Sequence, residues 1–352
     1  MQRPSFLLAT LALGAGLTGA ACSADSEEGG YGGPSDYADG DGSAEDTGSS
    51  GTGNGSGGIQ AGTLTAGAWD DNRNYQWFVD YLADPSTPQA GAPELTAEER
   101  LVAREAAGQD QPSKASLDVA LLIDATGSMG DEIEYLKVEL QAIADAVATR
   151  FPEVPQRWAT IAYRDIGDAY VTRSKDFTSD LQAVQGDLAG IVADGGGDTP
   201  EAVQAGLSET LELSWQSSAR LVFWIADAPH HEQDAYSVTA SLRGARELGL
   251  RIFPVASSGV DSLAELTMRS AAQLTGGRYL FLTDDSGVGN AHAEPTIPCY
   301  FVTHLDKAMV RMVSIELSGD YQQPEAADIL RTGGDPESGS CSLDDGQALF
   351  AY

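Results

Sequence analysis

Basic residues are scarce in this sequence: it has 20 Lys and Arg against 53 Asp and Glu in 352 residues, so the formal net charge at pH 7 is -33. Nucleic-acid binding depends on clustered Lys and Arg side chains that neutralise phosphates, and no basic stripe is present. We therefore expect no nucleic-acid partner. Strong acidity favours solubility and attracts divalent cations, but it locates no site.

Long hydrophobic runs are lacking near the N-terminus, where the apolar stretch 6–17 is too short to span a bilayer. It follows an Arg and precedes small residues, a pattern typical of an export signal over residues 1–22. The end of this segment, Gly-Ala-Ala-Cys22, resembles a bacterial lipoprotein signal, in which the Cys carries the lipid. Gly19 stands where that signal prefers Leu, so ordinary cleavage before Cys22 stays an alternative.

Cysteine is also rare, with three residues in the chain. In an exported protein an odd number leaves one thiol over, and lipidation of Cys22 would remove it. We therefore expect Cys299 and Cys341 to form a disulfide, which on the chain-entropy model would stabilise the fold by about 4 kcal/mol. The alternative is two buried thiols.

Composition divides the chain into segments. Residues 23–62 are rich in Gly, Ser, Asp and Glu and nearly free of apolar side chains, which indicates a disordered acidic linker. Residues 63–115 form a short N-terminal extension whose short amphipathic helix we expect to dock on the main domain. The main domain is predicted at 116–317, and a Gly- and acid-rich C-terminal extension follows at 318–352.

Strand and helix patterns alternate through the main domain, which favours an α/β fold with a doubly wound, mostly parallel sheet flanked by helices. Residues 157–175 would form a hairpin that supplies one antiparallel edge strand. The predicted strands are 117–123, 157–164, 169–175, 219–226, 251–256 and 277–282. The predicted helices are 131–150, 180–193, 201–213, 236–248, 262–275 and 304–317.

Oxygen-bearing side chains follow two of these strands. The first strand ends in Asp124-Ala-Thr126-Gly-Ser128, and the strand at 219–226 ends in Asp227. Between them, the glycine loop Asp-Gly-Gly-Gly-Asp-Thr199-Pro-Glu presents a further hydroxyl before a helix. Ligands bind at the carboxyl edge of parallel sheets, and hard divalent cations prefer oxygen ligands. We therefore predict a site for Mg²⁺, with Mn²⁺ or Ca²⁺ as alternatives.

This set of residues resembles the metal-ion-dependent adhesion site of von Willebrand factor A domains, a Rossmann-like family. The family pattern is Asp-x-Ser-x-Ser, then a Thr, then an Asp, and Thr126 departs from it by replacing Ser with another hydroxyl. The resemblance implies that the metal ligands are Asp124, Thr126, Ser128, Thr199 and Asp227. It also implies binding of a protein that offers an acidic side chain.

Other interpretations were weighed against this one. The hydroxyls can act as helix caps without a metal. His230 and His231 after Asp227 could suggest a transition-metal site, but a solvent-facing or outer role is favoured. The loop 284–292 holds Ser286 and His292, which raises a surface hydrolase as the alternative function. It lacks the strained Gly-x-Ser-x-Gly turn, so we expect no enzyme.

The predicted function is divalent-metal-dependent protein binding, in adhesion or in assembly of an envelope complex. The protein is expected to be exported and to contact the membrane through its lipid anchor only. Ser23 after the lipidated Cys resembles the sorting signal for the outer membrane, so we expect an outer-membrane or cell-surface lipoprotein.

Overall fold

A computed structural model describes residues 59–69, 73–83, 90–100, 111–197, 199–294, 297–343 and 346–351. The predicted signal peptide, Cys22 and most of the acidic linker lie outside the described residues. Within them, no helix is long and apolar enough to cross a membrane.

Nine strands form one sheet in the order β4-β3-β2-β5-β6-β7-β1-β8-β9, and two short strands form a separate hairpin, β10-β11. The strands in chain order are β1 (Thr65–Trp69), β2 (Leu117–Asp124), β3 (Gln156–Tyr163), β4 (Thr172–Thr178), β5 (Ala219–Ala226), β6 (Arg251–Ala256), β7 (Tyr279–Leu282), β8 (Tyr300–His304), β9 (Arg331–Gly333), β10 (Ser340–Ser342) and β11 (Ala348–Phe350).

Helices cover both faces of the sheet, as two separate apolar clusters on its two sides show. They are α1 (Tyr75–Ala83), α2 (Gly130–Arg150), α3 (Leu181–Ala189), α4 (Val203–Leu211), α5 (Ala235–Glu247), α6 (Ser262–Thr275) and α7 (Leu305–Ser318). Residues 97–100 are helical as well. The predicted helices are present, with ends that differ by a few residues.

The central strands β3, β2, β5, β6 and β7 pair in parallel, and β4 adds the expected antiparallel edge strand. All eight residues of β2 are buried, because helices cover both of its faces. Continuous apolar runs are typical of strands in such a position, whereas a half-solvated strand would alternate. The predicted α/β fold with a doubly wound, mostly parallel sheet is confirmed.

The N-terminal extension contributes more than a docked helix, because β1 lies inside the sheet. It pairs antiparallel with β7 on one side and with β8 on the other. A glycine is needed in this strand, since a Cβ at Gly67 would lie 2.3 Å from the Phe281 ring. Neither β1 nor β8 was predicted from the sequence, and both complete the sheet from outside the predicted strands.

A buried carboxylate holds the chain where it leads into β1. Glu139 on α2 accepts hydrogen bonds from the backbone N–H groups of Gly62 at 2.9 Å, Thr63 at 2.7 Å and Leu64 at 3.0 Å. Backbone donors that would otherwise be unpaired are thus satisfied, and the charge of a fully buried side chain is compensated. The extension is therefore fixed both to the sheet and to α2.

The C-terminal extension is fixed by the predicted disulfide, because Cys299 and Cys341 are bonded. Cys341 lies on β10, which pairs with β11, and Leu349 on β11 is buried in the same apolar cluster as both sulfurs. The expected pairing is therefore confirmed, and it joins the hairpin to the residue before β8.

Candidate functional site

The first predicted ligand group lies where β2 ends. Asp124 and Thr126 are fully buried, and the Thr126 hydroxyl donates to Asp124 Oδ1 at 2.6 Å while its backbone N–H donates to the same oxygen at 3.0 Å. Ser128 is exposed, and its Oγ lies 3.4 Å from Thr126 Oγ1. The turn between them is tight, since a Cβ at Gly127 would lie 2.9 Å from the Gly195 carbonyl. One carboxylate and two hydroxyls thus converge, as predicted.

The glycine loop that precedes α4 packs against this turn. The Gly127 N–H donates to the Gly195 carbonyl at 3.1 Å, and the Asp194 N–H donates to the Ala125 carbonyl at 3.2 Å. A Cβ at Gly196 would lie 2.9 Å from Thr126 Cβ, so the two loops touch. Thr199 lies in this loop with an exposed side chain, joined to Pro200 by a cis peptide bond.

Arg164 holds three of these loops together. It follows β3 and is buried, and it donates through Nε to the Ala125 carbonyl at 3.0 Å and through Nη2 to the Val192 carbonyl at 2.6 Å. Its guanidinium is also 3.7 Å from the Asp194 carboxylate. Both carbonyls are thereby satisfied, and Arg164 links the loop after β2 to the loop after α3.

Asp227 follows β5, the parallel neighbour of β2, so its carboxylate reaches the same edge as Asp124. It is buried, and Ser128 lies near enough to it to oppose part of the effect of burial on its pKa. Burial raises the pKa of Asp227 to about 6. Burial, together with the charge of Asp227, raises the pKa of Asp124 to about 7. Two carboxylates that are buried from water repel each other, and a bound cation would relieve that repulsion.

Glu201 was assigned no role from the sequence, yet it belongs to this site. The side chain is buried, and its Oε1 lies 2.9 Å from the position that a Cβ on Gly196 would take. Burial is the largest cause that raises the pKa of Glu201 to about 8, followed by the charge of Asp124 and then by nearby acids including Asp165. The available sequence signal was its position, two residues after the predicted ligand Thr199. An acid at the start of a helix usually faces solvent, so this position did not by itself predict burial.

Three buried carboxylate oxygens accept no hydrogen bond from the described residues: Asp124 Oδ2, Asp227 Oδ1 and Glu201 Oε2. Buried acceptors are normally paired, so these oxygens suit a ligand that supplies positive charge. The donor set is carboxylate and hydroxyl oxygen, which fits a hard divalent cation. In the part of the chain that the structure describes, no group of three or more His, Cys, Asp or Glu side chains is spaced to hold one metal ion. Any cation would therefore depend on the hydroxyls.

The two histidines after Asp227 are used in structure. His230 is buried, not solvent-facing, and its Nε2 lies 2.8 Å from the Gly91 carbonyl of the N-terminal extension. Burial lowers its pKa, so the ring is neutral. His231 Nε2 lies 2.7 Å from Asp165 Oδ1, in the loop after β3. Each ring thus ties the loop after β5 to a neighbouring segment.

His292, the candidate base of the alternative hydrolase, is held between two carboxylates. Its Nε2 lies 2.9 Å from Glu132 Oε1 on α2, and its Nδ1 lies 2.9 Å from Asp284 Oδ1. The Ser286 hydroxyl instead donates to the Thr283 carbonyl at 3.4 Å. A serine nucleophile needs a free ring nitrogen of the base. Neither nitrogen of His292 is free, so this arrangement does not form a Ser-His pair.

Comparison with known proteins identifies the region that contains the site. Residues 118–282 match the family model of the von Willebrand factor A domain. One curated relative, an ariadne-like RING finger protein of Acanthamoeba polyphaga mimivirus, is 36% identical over 124 residues, which are 35% of this chain and 12% of the relative. The alpha-protein kinase vwkA of Dictyostelium discoideum is 29% identical over 139 residues, 39% of this chain and 22% of the relative. The chain thus spans less than a quarter of either relative.

Solved structures match parts of this chain at low identity. The pilus adhesin SpaC of Lactobacillus rhamnosus GG, in its open conformation, is 12% identical with a TM-score of 0.37, and the match covers 48% of this chain and 28% of that chain. The conserved hypothetical protein BatB of Bacteroides thetaiotaomicron is 15% identical with a TM-score of 0.39, covering 57% and 97%. At these scores the likeness carries no argument about function.

Proposed function

We propose that this chain binds a protein partner through a divalent cation held at the carboxyl edge of the sheet, because residues 118–282 match the family model of the von Willebrand factor A domain. The observation that carries the proposal is the set of buried carboxylate oxygens without hydrogen-bond donors at that edge. Domains of this kind commonly serve protein interaction, and the family pattern assigns the ligands to Asp124, Thr126, Ser128, Thr199 and Asp227.

The proposed cation is Mg²⁺, with Mn²⁺ or Ca²⁺ as the alternatives that the same oxygen ligands accept. Asp124 and Asp227 supply the negative charge, and the hydroxyls add neutral oxygens. A cation with two carboxylates and otherwise neutral ligands stays electrophilic, so an acidic side chain of the partner can complete its coordination. This chemistry favours binding over catalysis.

We propose no enzymatic role for this site. A hydrolase built on the loop 284–292 stays the alternative, but its Ser286 hydroxyl bonds to a backbone carbonyl and both nitrogens of His292 face carboxylates. The kinase and RING-finger names belong to relatives that this chain matches over a small part of their length. They supply no reacting group here.

We further propose that the chain is exported and carries a lipid on Cys22, which places the domain at the outer membrane or the cell surface. The support is the sequence pattern of residues 1–22 and the acidic linker that follows. The lipid would be its only contact with the membrane.

The cation is tested by isothermal titration of the purified full chain with Mg²⁺. We expect about one ion per chain, and we expect Asp124→Ala to abolish binding because it removes a principal ligand. Asp187→Ala, on α3 away from the site, is the matched control and should bind as the parent does. Affinity should fall between pH 8 and pH 6, since protons compete for carboxylates whose pKa is raised. Undiminished binding by Asp124→Ala would refute the assignment.

The partner is tested by capture from envelope extracts on the immobilised full chain. A partner held through the cation should be retained in Mg²⁺ and released by EDTA, and Thr199→Ala should weaken its retention. Retention that is the same with EDTA would rule out a metal-bridged contact.

A further inference from the structure

The loops at the carboxyl edge of the sheet are strongly and uniformly acidic. Besides the buried site, they carry Asp165, Asp168, Asp194, Glu232, Asp234 and Asp284, all exposed or half-buried. Across the loops 125–129, 164–171, 190–202, 227–234, 257–261 and 283–299, the sequence contains a single Lys or Arg, which is Arg164. Arg164 is buried and bonded to backbone carbonyls, so it offers no cationic contact to a partner.

Exposed basic residues beside this edge are few, such as Arg173 at the start of β4 and Lys307 in the first turn of α7. More of them accompany the opposite edge, where the parallel strands begin. Arg157, Arg220 and Arg251 lie at the amino ends of β3, β5 and β6. Arg150 and Arg246 lie at the far ends of α2 and α5. The domain is therefore polarised, and the acidity of the carboxyl edge is a local property beyond the overall charge of the chain.

A second, independent observation points to a ligand at the acidic edge. Asp124 Oδ2, Asp227 Oδ1 and Glu201 Oε2 are buried and accept no hydrogen bond from the described residues. Large apolar side chains are also exposed on the same edge, with Ile166 66% and Val192 56% exposed on adjacent loops. Two such side chains do not make an apolar patch, so charge, and not apolar area, has to select the partner.

We propose that the partner presents its acidic side chain from a basic protein surface, with Lys or Arg on either side of it. This inference rests on the proposed metal-bridged binding and specifies its partner. An acidic side chain must pass through the field of the surrounding acids to reach the cation, and like charges placed against each other oppose binding. Lys or Arg side chains beside the partner's acid replace this repulsion with attraction. A partner whose acid lies in an acidic surface is repelled, so the same charges provide specificity.

The test uses labelled short peptides and the full chain in Mg²⁺, read by fluorescence polarisation. One peptide has a central Asp flanked by Lys, a second has Asp flanked by Gln, and a third has Asp flanked by Glu. A fourth, with Asn flanked by Lys, controls for attraction of a polycation alone. We expect the Lys-flanked Asp peptide to bind about tenfold more tightly than the Glu-flanked one, with a difference that shrinks as salt is added.

Charge reversal locates the effect on the surface. Asp194→Lys with Glu232→Lys reverses two acids of the carboxyl edge, and Glu153→Lys with Glu247→Lys makes the same change at the opposite edge. The ratio of the affinities for the Lys-flanked and Glu-flanked peptides should fall toward one in the first variant and stay unchanged in the second.

The possible outcomes separate this inference from the proposed function. Equal affinities for the Lys-flanked and Glu-flanked Asp peptides, or no Mg²⁺-dependent binding of the Lys-flanked one, would overturn the inference while Mg²⁺ titration still supports the cation. Equal binding of the Asn and Asp peptides would overturn the inference and, with it, the acidic ligand of the proposed function. If the ratio of the affinities for the Lys-flanked and Glu-flanked peptides falls toward one in both charge-reversed variants, the overall charge of the chain, and not this edge, selects the peptide.

Discussion

Replacement of His292 by Ala tests how the loop after β7 is attached to α2. The imidazole lies between Glu132, which is 1% exposed on the first turn of α2, and Asp284, whose side chain is 66% exposed. Glu132 Oε1 also accepts the Ser258 N–H at 3.0 Å, and Glu132 Oε2 accepts no hydrogen bond from the described residues. His292→Ala would therefore leave a buried carboxylate with one donor.

The expected loss follows from these burials. Breaking a buried ion pair by removing one partner costs about 3–5 kcal/mol, because the remaining charge is left uncompensated. The bond to the exposed Asp284 is screened by water and adds less than about 1 kcal/mol. The surviving Ser258 N–H offsets part of the cost, so we expect a decrease of ~3 kcal/mol in the free energy of unfolding. Ser286→Ala removes only a weakly bonded hydroxyl and should cost below about 1 kcal/mol.

The loss should depend on pH in a defined direction. Burial alone would lower the pKa of His292, but the hydrogen bonds that its ring donates to the Glu132 and Asp284 carboxylates outweigh this effect, and the pKa is raised above 6.5. A pKa that is raised in the folded state gives stability that is complete below the unfolded value and disappears as pH rises through the folded value. The difference between parent and His292→Ala should thus be larger at pH 6 than at pH 9.

The assay is urea unfolding followed by circular dichroism, at both pH values and with EDTA present so that cation binding does not contribute. With an m-value of ~2 kcal/mol/M, the midpoint of His292→Ala should fall by ~1.5 M at pH 6. Equal midpoints for His292→Ala and Ser286→Ala, or a larger difference at pH 9, would refute the argument from the buried pair.

Two further predictions concern the N-terminal part of the chain. Glu139→Ala should destabilise the fold by about 3 kcal/mol in urea unfolding, since three backbone N–H groups lose a charged acceptor. Glu134→Ala, on the exposed face of α2, serves as the control. Equal stabilities of the two variants would contradict the role of Glu139. Cys22→Ser should release the protein from membranes or block its processing in cell fractionation, and a processed variant that stays membrane-bound would show that another contact holds it.

The parallel core of the fold could be predicted because its strands are continuous apolar runs separated by helical patterns, as in β2 and β5. The strand β1 could not be predicted in the same way. Its sequence, Thr-Ala-Gly67-Ala-Trp, is short, and its three central residues are small and have low strand propensity. The glycine is required by the Phe281 ring across the pair, and that contact joins positions far apart in the sequence.

The part of the candidate site that a fixed residue spacing encodes could be predicted from the sequence, namely Asp124, Thr126 and Ser128 on one tight turn. Its acidic neighbours were not. Glu132 and Glu201 occupy helix starts, where an acid ordinarily faces water and favours the helix dipole. Glu132 is covered by the loops after β6 and β7, and Glu201 pairs with the loop after β5, contacts that form only in the folded protein.

The position of β1 has a mechanical consequence. Any pull on the chain that precedes residue 59 is delivered to β1, which is hydrogen-bonded to β7 and β8 at once. A strand clamped on both sides cannot peel away from one neighbour, so it must slide past two, and its bonds share the load. Resistance to such a force is set by the rate of unfolding, not by equilibrium stability. The segment before β1 thus connects to a strand that is hydrogen-bonded on both sides.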